Sequence, residues 1–177
     1  PKINLYIKTT NACNARCKFC EYHTEASGRT FDLYKLLYVI DEIQKYAPIH
    51  RVNFTGGEPT VILPFDVFIK AVKLVREKLP KAYIIINTNG VRLKELGIGF
   101  AENIVDSYAL SRHHYLDDRN ARIFGVEDFP TYISTNFDIR NFPYPDRLHL
   151  RCNLIKGEID SVESIREYVN YYTDRYG

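Results

Sequence analysis

The sequence predicts an α/β fold built on a parallel β-sheet, because strand-like and helix-like segments alternate along its 177 residues. The strand-like runs are short and apolar or alternating, and the helix-like runs repeat apolar residues every three to four positions. A complete eight-stranded barrel takes roughly 250 residues, so this length predicts a partial barrel or an open sheet. In both architectures, chemistry collects at the carboxyl ends of the strands.

Five strands are predicted, and each has its own sequence signal. They span Ile3–Thr10, Arg51–Phe54, Ala82–Asn87, Ile104–Ser111 and Arg147–Ile155. The first alternates apolar and polar residues and is rich in β-branched side chains. The third is a continuous apolar run, which is typical of a strand covered on both faces.

Five helices are predicted after these strands, over residues 31–48, 64–80, 91–97, 117–125 and 161–177. The first two repeat apolar residues along one face, and Pro64 suits the first turn of the second. The last helix has Ser161 at its cap and Val162, Ile165, Val169 and Tyr172 on its expected buried side. The proline-containing stretch 128–146 is either a functional loop or hides a further element.

The composition is that of an ordinary globular protein, with 45% apolar and 26% charged residues. Lys and Arg total 24 against 22 Asp and Glu, which gives no electrostatic reason to expect a nucleic-acid partner. No stretch approaches the roughly 20 apolar residues that span a membrane, and no signal-peptide pattern opens the chain. We therefore expect one cytoplasmic domain over residues 1–177, with no membrane partner.

Every unusual cluster of residues follows a predicted strand. The clusters are the three cysteines at 13, 17 and 20, "GGEP" at 56–59, "NTNG" at 87–90, "SRHH" at 111–114 and "NLIKGEID" at 153–160. Because parallel strands end at one edge of a sheet, all five clusters are expected at the same edge.

The cysteine cluster Cys13, Cys17 and Cys20 has the spacing C-x3-C-x2-C, which favours a metal site over a disulfide framework. With His23 as fourth ligand it would close a Cys3His zinc site. Thiolates also suit iron–sulfur clusters, and a cubane has one iron more than these three cysteines can bind. Cys152 lies within a predicted strand and is interpreted as a small buried apolar residue.

"GGEP" after the second strand suits an ammonium group. Glycines let the backbone come close, backbone carbonyls accept hydrogen bonds, and Glu58 adds a negative charge. Pro59 restricts the residue before it and stiffens the loop.

Together these motifs resemble the radical SAM superfamily. "CNARCKFC" matches the family's C-x3-C-x-Φ-C signature with Phe19 as the aromatic residue, and "GGEP" matches the family motif after the second strand. "NLIKGEID" resembles the looser G-x-I-x-G-x-x-E pattern at Ile155 and Gly157, with Asn153 and Asp160 in place of Gly and Glu. The resemblance implies a partial (βα)6 barrel with about five βα units in this chain, the sixth strand and any following domain being absent.

The resemblance also implies the cofactors and their sites. Cys13, Cys17 and Cys20 would bind three irons of a [4Fe–4S] cluster, and S-adenosylmethionine (SAM) would chelate the fourth. The residues implied to contact SAM are Phe19, Gly56, Gly57, Glu58, Pro59, Thr88, Asn89, Ser111, Asn153 and Ile155.

The activity implied by the resemblance is reductive cleavage of SAM to methionine and a 5′-deoxyadenosyl radical. The radical would take hydrogen from an unidentified substrate, in small-molecule biosynthesis or in peptide or protein modification. A one-electron donor such as a flavodoxin or ferredoxin would be a partner. Two other classes stay open: a zinc-stabilised binding module with His23 as ligand, and an electron-transfer iron–sulfur protein.

The segment "SRHHYLDDRNAR" is the candidate substrate side of the site. It carries His113 and His114, the candidate catalytic residues, which could hydrogen-bond an anionic or polar substrate. The alternative interpretation is a solvated loop that leads into a short helix.

Overall fold

The computed structural model describes residues 2–20, 32–61, 65–90, 103–125 and 145–176. Its centre is one sheet of five parallel strands in the order β1-β2-β3-β4-β5. The strands are β1 (Ile3–Lys8), β2 (Ile49–Thr55), β3 (Tyr83–Thr88), β4 (Ser107–Ser111) and β5 (Leu148–Arg151). A doubly wound sheet reverses its strand order, whereas this order is consecutive, as in a barrel wall. The predicted α/β fold is confirmed.

Four α-helices are described: α1 (Leu33–Gln44), α2 (Phe65–Lys78), α3 (Asp117–Phe124) and α4 (Val162–Tyr176). Asp32 caps α1 by accepting a hydrogen bond from the Lys35 N–H at 3.1 Å. Ser161 caps α4 in the same way through the Ser164 N–H, also at 3.1 Å, which confirms the predicted cap. Helix α3 ends at Gly125, whose φ of +65° is the left-handed conformation that glycine adopts freely.

The hydrophobic core lies on one face of the sheet. Alternate strand residues such as Val52, Ile84 and Leu110 point into it and meet Ile40 of α1 and Phe68 of α2. The other face of the sheet, which we call the open face, carries the intervening residues. They are Asn4, Tyr6 and Lys8 of β1, Arg51, Asn53 and Thr55 of β2, Tyr83, Ile85 and Asn87 of β3, Ser107, Ala109 and Ser111 of β4, and His149 and Arg151 of β5.

The prediction that four residues of the last helix are buried is wrong for three of them. Val162, Ile165 and Val169 are 65%, 37% and 49% exposed, and only Tyr172 is buried. Helix α4 packs instead through its tyrosines, because the Tyr172 hydroxyl accepts a hydrogen bond from the buried Arg112 guanidinium at 3.1 Å. The helix therefore packs on the described part of the chain through a polar contact and not through the face that its apolar pattern predicts.

Several expectations lie outside the described residues: the helix at 91–97, Pro64, His23 and nearly all of the stretch 128–146. Cys152 follows β5 rather than lying within it, and its half-buried thiol donates to the His113 carbonyl at 3.6 Å. None of the described helices is both long enough and apolar enough to cross a membrane.

Candidate active site

Residues 9–20, which we call the cysteine loop, follow β1 and pack against helix α3. The Arg16 N–H donates to the Phe124 carbonyl at the end of α3, at 2.7 Å. Ala15 and Cys17 pack in a small apolar cluster with Ala121 and Phe124, and Cys20 packs against it. Helix α3 therefore supports the loop that carries the three thiols.

The three thiols form a donor set that fits an iron–sulfur cluster. Burial, followed by repulsion from Cys13 and Cys20, raises the pKa of Cys17 to about 12. A bound cation would reverse this effect and favour the thiolate form. Among the described residues, no three His, Cys, Asp or Glu side chains could share one metal ion. A cubane instead takes each thiolate on a different iron.

The loop after β2 lies directly against the start of the cysteine loop. The Gly57 N–H donates to the Thr10 carbonyl and the Glu58 N–H to the Ala12 carbonyl, both at 2.8 Å. A Cβ on Gly56 would come within 2.4 Å of the Thr10 oxygen, and one on Gly57 within 2.1 Å of the Ala12 oxygen. Both positions therefore require glycine so that the two backbones can meet.

The Glu58 side chain connects the loop after β2 to the loop after β3. It is 2% exposed, and burial raises its pKa. Its Oε1 accepts from the Thr60 N–H, the Thr60 hydroxyl and the Thr88 hydroxyl at 3.1, 2.7 and 2.7 Å. Its Oε2 accepts from the Asn89 N–H at 2.6 Å. The carboxylate is thus already bound by the protein, and it orients the two loops.

The loop after β3 in turn contacts the cysteine loop. The Asn89 side-chain amide donates to the Asn14 side-chain oxygen at 2.7 Å. The Thr88 hydroxyl also accepts from the Gly90 N–H at 3.0 Å, so its position is fixed on both sides. The structure thereby joins the loops after the first three strands into one hydrogen-bonded network.

The loop after β4 is buried rather than solvated. Arg112, His113 and His114 are 3%, 5% and 3% exposed. The side-chain oxygen of Asn120, on α3, accepts from the His113 and His114 N–H groups at 2.8 and 3.2 Å. The interpretation of this segment as a solvated loop is therefore wrong for these three residues.

The His113 side chain connects three parts of the site. Its Nδ1 accepts from the Asn153 N–H at 3.1 Å, at the carboxyl end of β5. Its ring meets the Phe19 ring edge-on, with centroids 5.0 Å apart, and the Phe124 ring lies 5.3 Å away. Burial, with a smaller effect of Arg112, lowers the pKa of His113 to about 4, so the imidazole is neutral at pH 7.

The other predicted residues lie at the same edge of the sheet. Pro59 is buried and begins a single 3-10 turn, Pro59–Val61. Ser111 ends β4 on the open face, where it pairs with Arg151 of β5. Ile155 is half-buried, in the segment that Asn153 opens. The Nδ1 of His114 accepts from the Leu116 N–H at 3.0 Å, and its Nε2 lies 3.9 Å from the Glu158 carboxylate.

Two supporting residues were missed by the motifs. Asn120 is fully buried, and Thr60 donates two hydrogen bonds to Glu58. A signal for Asn120 was its position beside Ala121 on the apolar side of an otherwise charged helix. Thr60 has no signal beyond its place after "GGEP".

The comparisons with known proteins agree with this geometry. The sequence matches the family model of the radical SAM superfamily over residues 7–172. This chain belongs to the radical SAM superfamily. Members of this family use a [4Fe–4S] cluster and SAM. Membership therefore favours the cluster over the zinc alternative, whose fourth ligand His23 lies outside the described residues.

Two curated relatives carry names of nucleotide chemistry. The chain is 33% identical to a probable GTP 3′,8-cyclase of Thermococcus kodakarensis, over 92% of this chain and 53% of that protein. It is 22% identical to an S-adenosylmethionine-dependent nucleotide dehydratase of Oncorhynchus mykiss, over 90% of this chain and 45% of that protein. This radical SAM chain thus spans about half the length of the curated relatives it matches.

Solved structures share the fold of this radical SAM chain. Streptococcus suis SuiB bound to S-adenosylmethionine has a TM-score of 0.72 at 18% identity, over 97% of this chain and 38% of that one. The protein anSMEcpe with bound AdoMet has a TM-score of 0.69 at 22% identity, over 99% of this chain and 50% of that one. At these identities the likeness shows the fold alone.

Proposed function

We propose that this chain is the SAM-cleaving core of a radical SAM enzyme, with Cys13, Cys17 and Cys20 as the ligands of its cluster. A cluster held by these thiolates would supply the electron for reductive cleavage of SAM to methionine and a 5′-deoxyadenosyl radical, which would take a hydrogen atom from the substrate. The observation that carries this proposal is the docking of the "GGEP" loop on the cysteine loop through Gly56 and Gly57.

The residues of this chain would bind and orient SAM. The carbonyls around Gly56 and Gly57 would accept from the SAM amine, and Glu58 would hold their loop against Asn89. Phe19 and Ile155 would contact the adenine. Thr88, Asn89 and Ser111 would face the methionine and ribose parts. These roles follow the family motifs residue by residue except for Glu58, which the motif implies as a contact of the SAM amine and to which we assign the loop-holding role because of its buried hydrogen bonds.

SAM cleavage is tested on anaerobically reconstituted protein with a strong one-electron reductant. The expected product is 5′-deoxyadenosine, formed slowly even without substrate. The matched control is the Cys17→Ala variant, which should form none. Fully clustered, reduced protein that binds no SAM and forms no 5′-deoxyadenosine would overturn the proposal.

We also infer that the substrate is polar and anionic, because of the residues on the open face of the sheet. Lys8 and Arg151 are the last residues of β1 and β5, so both lie at the carboxyl ends of the strands, on the two outermost strands of the sheet. No Asp or Glu stands on the open face of the described strands. Asn53 and Ser107 are buried there, and within the described part of the chain their Nδ2 and Oγ have no hydrogen-bond partner. An anion with several oxygen acceptors suits these groups.

Charged residues on edge strands also prevent strand-to-strand aggregation. The experiment must therefore separate substrate binding by Lys8 and Arg151 from protection of the edge strands. The probes are GTP and inorganic triphosphate, chosen because two relatives are named for nucleotide reactions. Arg151→Gln should weaken binding to the clustered, SAM-loaded protein about tenfold, the effect of losing one charged contact. Lys73→Gln on the exposed side of α2 is the matched control. Equal binding by both variants would support the edge-protection explanation.

His113 and His114 remain proposed substrate-side residues. Since Nδ1 of each ring accepts a backbone hydrogen bond, Nε2 carries the proton in the neutral form and could donate to a substrate oxygen. A flavodoxin or ferredoxin remains the proposed electron donor. We propose a cytoplasmic location, where thiols stay reduced.

A further inference from the structure

The position of His113 indicates a role that the family motifs do not assign. The residue is buried just beyond the carboxyl end of β4, and both its backbone and its ring are engaged. Its ring nitrogen binds the Asn153 N–H, while its ring edge meets Phe19. One imidazole therefore contacts both the cysteine loop and the segment after β5.

These two contacts lie on the two sides proposed for the adenine of SAM. Phe19 is the aromatic residue of the cysteine signature, and Asn153 begins the segment that contains Ile155. They follow the two outermost strands of the five-stranded sheet, Phe19 after β1 and Asn153 after β5. Their separation is not set by direct strand pairing, so it needs a connection through the side chains between them.

Burial fixes the end of the segment after β5 but not its beginning. Ile159 is 1% exposed, whereas Asn153 is exposed, Leu154 is 66% exposed and Ile155 is only half-buried. Later in the segment, the Glu158 N–H donates to the Ile155 carbonyl at 2.9 Å and the Asp160 N–H to the Ser164 hydroxyl of α4 at 3.1 Å. The bond to His113 thus attaches the exposed beginning of the segment to a buried side chain.

We propose that His113 is a positioning residue for the adenosine part of SAM. It holds the Phe19 ring and the Asn153 backbone at the separation that the adenine needs. The inference rests on the proposed function, because it presumes that SAM binds at the carboxyl ends of the strands. It differs from a space-filling role in requiring the acceptor nitrogen as well as the ring.

Two substitutions separate the ring from the acceptor. His113→Phe keeps an aromatic ring and removes the acceptor, whereas His113→Gln keeps an acceptor oxygen and removes the ring. Tyr168→Phe is the matched control, because it removes a different hydrogen bond to the same loop, from the Tyr168 hydroxyl to the Arg112 carbonyl at 2.8 Å. That bond touches neither Phe19 nor Asn153.

The experiment compares the binding of SAM with the binding of its two halves, 5′-deoxyadenosine and methionine. Clustered protein is titrated with SAM, with 5′-deoxyadenosine and with methionine, the last followed by the EPR spectrum of the reduced cluster. His113→Phe should weaken the binding of SAM and of 5′-deoxyadenosine about tenfold, which is the effect of one hydrogen bond. It should weaken the binding of methionine less than about twofold. His113→Gln should recover part of the 5′-deoxyadenosine affinity. Tyr168→Phe should change no affinity by more than about twofold.

The outcomes are distinct. If wild-type protein binds SAM and His113→Phe weakens methionine and 5′-deoxyadenosine equally, His113 is a general packing residue and the inference fails. It fails as well if His113→Phe has no effect. If wild-type clustered protein binds neither SAM nor methionine, the proposed function fails first and this inference falls with it.

Discussion

The carboxylate of Glu58 accepts a hydrogen bond from the Thr88 hydroxyl at 2.7 Å, between residues 30 positions apart in the sequence. The bond joins the loop after β2 to the end of β3. Glu58 is buried, so its four hydrogen bonds act where water cannot replace them. This side chain therefore orients the proposed SAM-binding loop together with the backbone bonds that Gly57 and Glu58 donate to the cysteine loop.

Replacing Glu58 with Gln should weaken SAM binding more than cluster binding. The amide keeps the size but turns an NH2 group toward donors, which leaves buried donors unpaired at a cost of roughly 3 kcal/mol. Isothermal titration with SAM and iron analysis measure the two effects. Glu77→Gln, on the exposed side of α2, is the matched control and should change neither. A loss of iron as large as the loss of SAM affinity would contradict this prediction.

Gly57→Ala should prevent the docking of the two loops. Its Cβ would lie 2.1 Å from the Ala12 oxygen, which is backbone and cannot move aside alone. Gly157→Ala is the comparison, because its surroundings are open and it has only a left-handed φ of +84° to maintain, at about 1 kcal/mol. We expect Gly157→Ala to retain iron and SAM binding and Gly57→Ala to lose SAM binding. Equal behaviour of the two variants would mean that the close approach does not matter.

The cluster prediction concerns which cysteines bind iron. Anaerobic reconstitution should give about four irons and four sulfides per chain. Cys17→Ala should abolish the brown chromophore, because a cubane then retains only two protein ligands. Cys152→Ala and His23→Ala should retain it. Stoichiometric zinc without a chromophore after anaerobic purification would contradict the assignment of an iron–sulfur cluster.

The pKa of His113 predicts a pH dependence of stability. Burial lowers this pKa from 6.5 to about 4, so below pH 6.5 the unfolded chain binds a proton that the folded chain resists. The contribution of neutral His113 to the free energy of unfolding is therefore complete above pH 6.5, and it is lost as the pH falls toward about 4. Between pH 7 and about pH 5.5, wild-type protein should lose about 1 kcal/mol more free energy of unfolding than His113→Gln. Anaerobic urea unfolding measures this difference, and equal losses would exclude it.

Local sequence patterns were sufficient for the order of strands and helices. Alternating residues identify β1, and Ser161 identifies the start of α4, because each signal acts within a few residues. The cysteine spacing and "GGEP" likewise locate the proposed cluster and SAM sites, since both motifs are continuous in the sequence.

Packing decided what those patterns could not. The apolar stripe of α4 predicts burial of Val162 and Val169, yet both are exposed, and the buried residue is Tyr172, which binds Arg112. Helical periodicity says which residues share a face, but the face that is buried depends on a partner far away in the sequence.

The sequence by itself determined that this chain is a radical SAM protein, with the thiols and the glycines placed after successive strands. Only the tertiary structure decided that Glu58 is a buried connector and that His113 lies between Phe19 and Asn153. The physical reason is distance along the chain. Motifs record residues that act together within one loop, whereas these contacts form only when the parallel strands bring separate loops to one edge of the sheet.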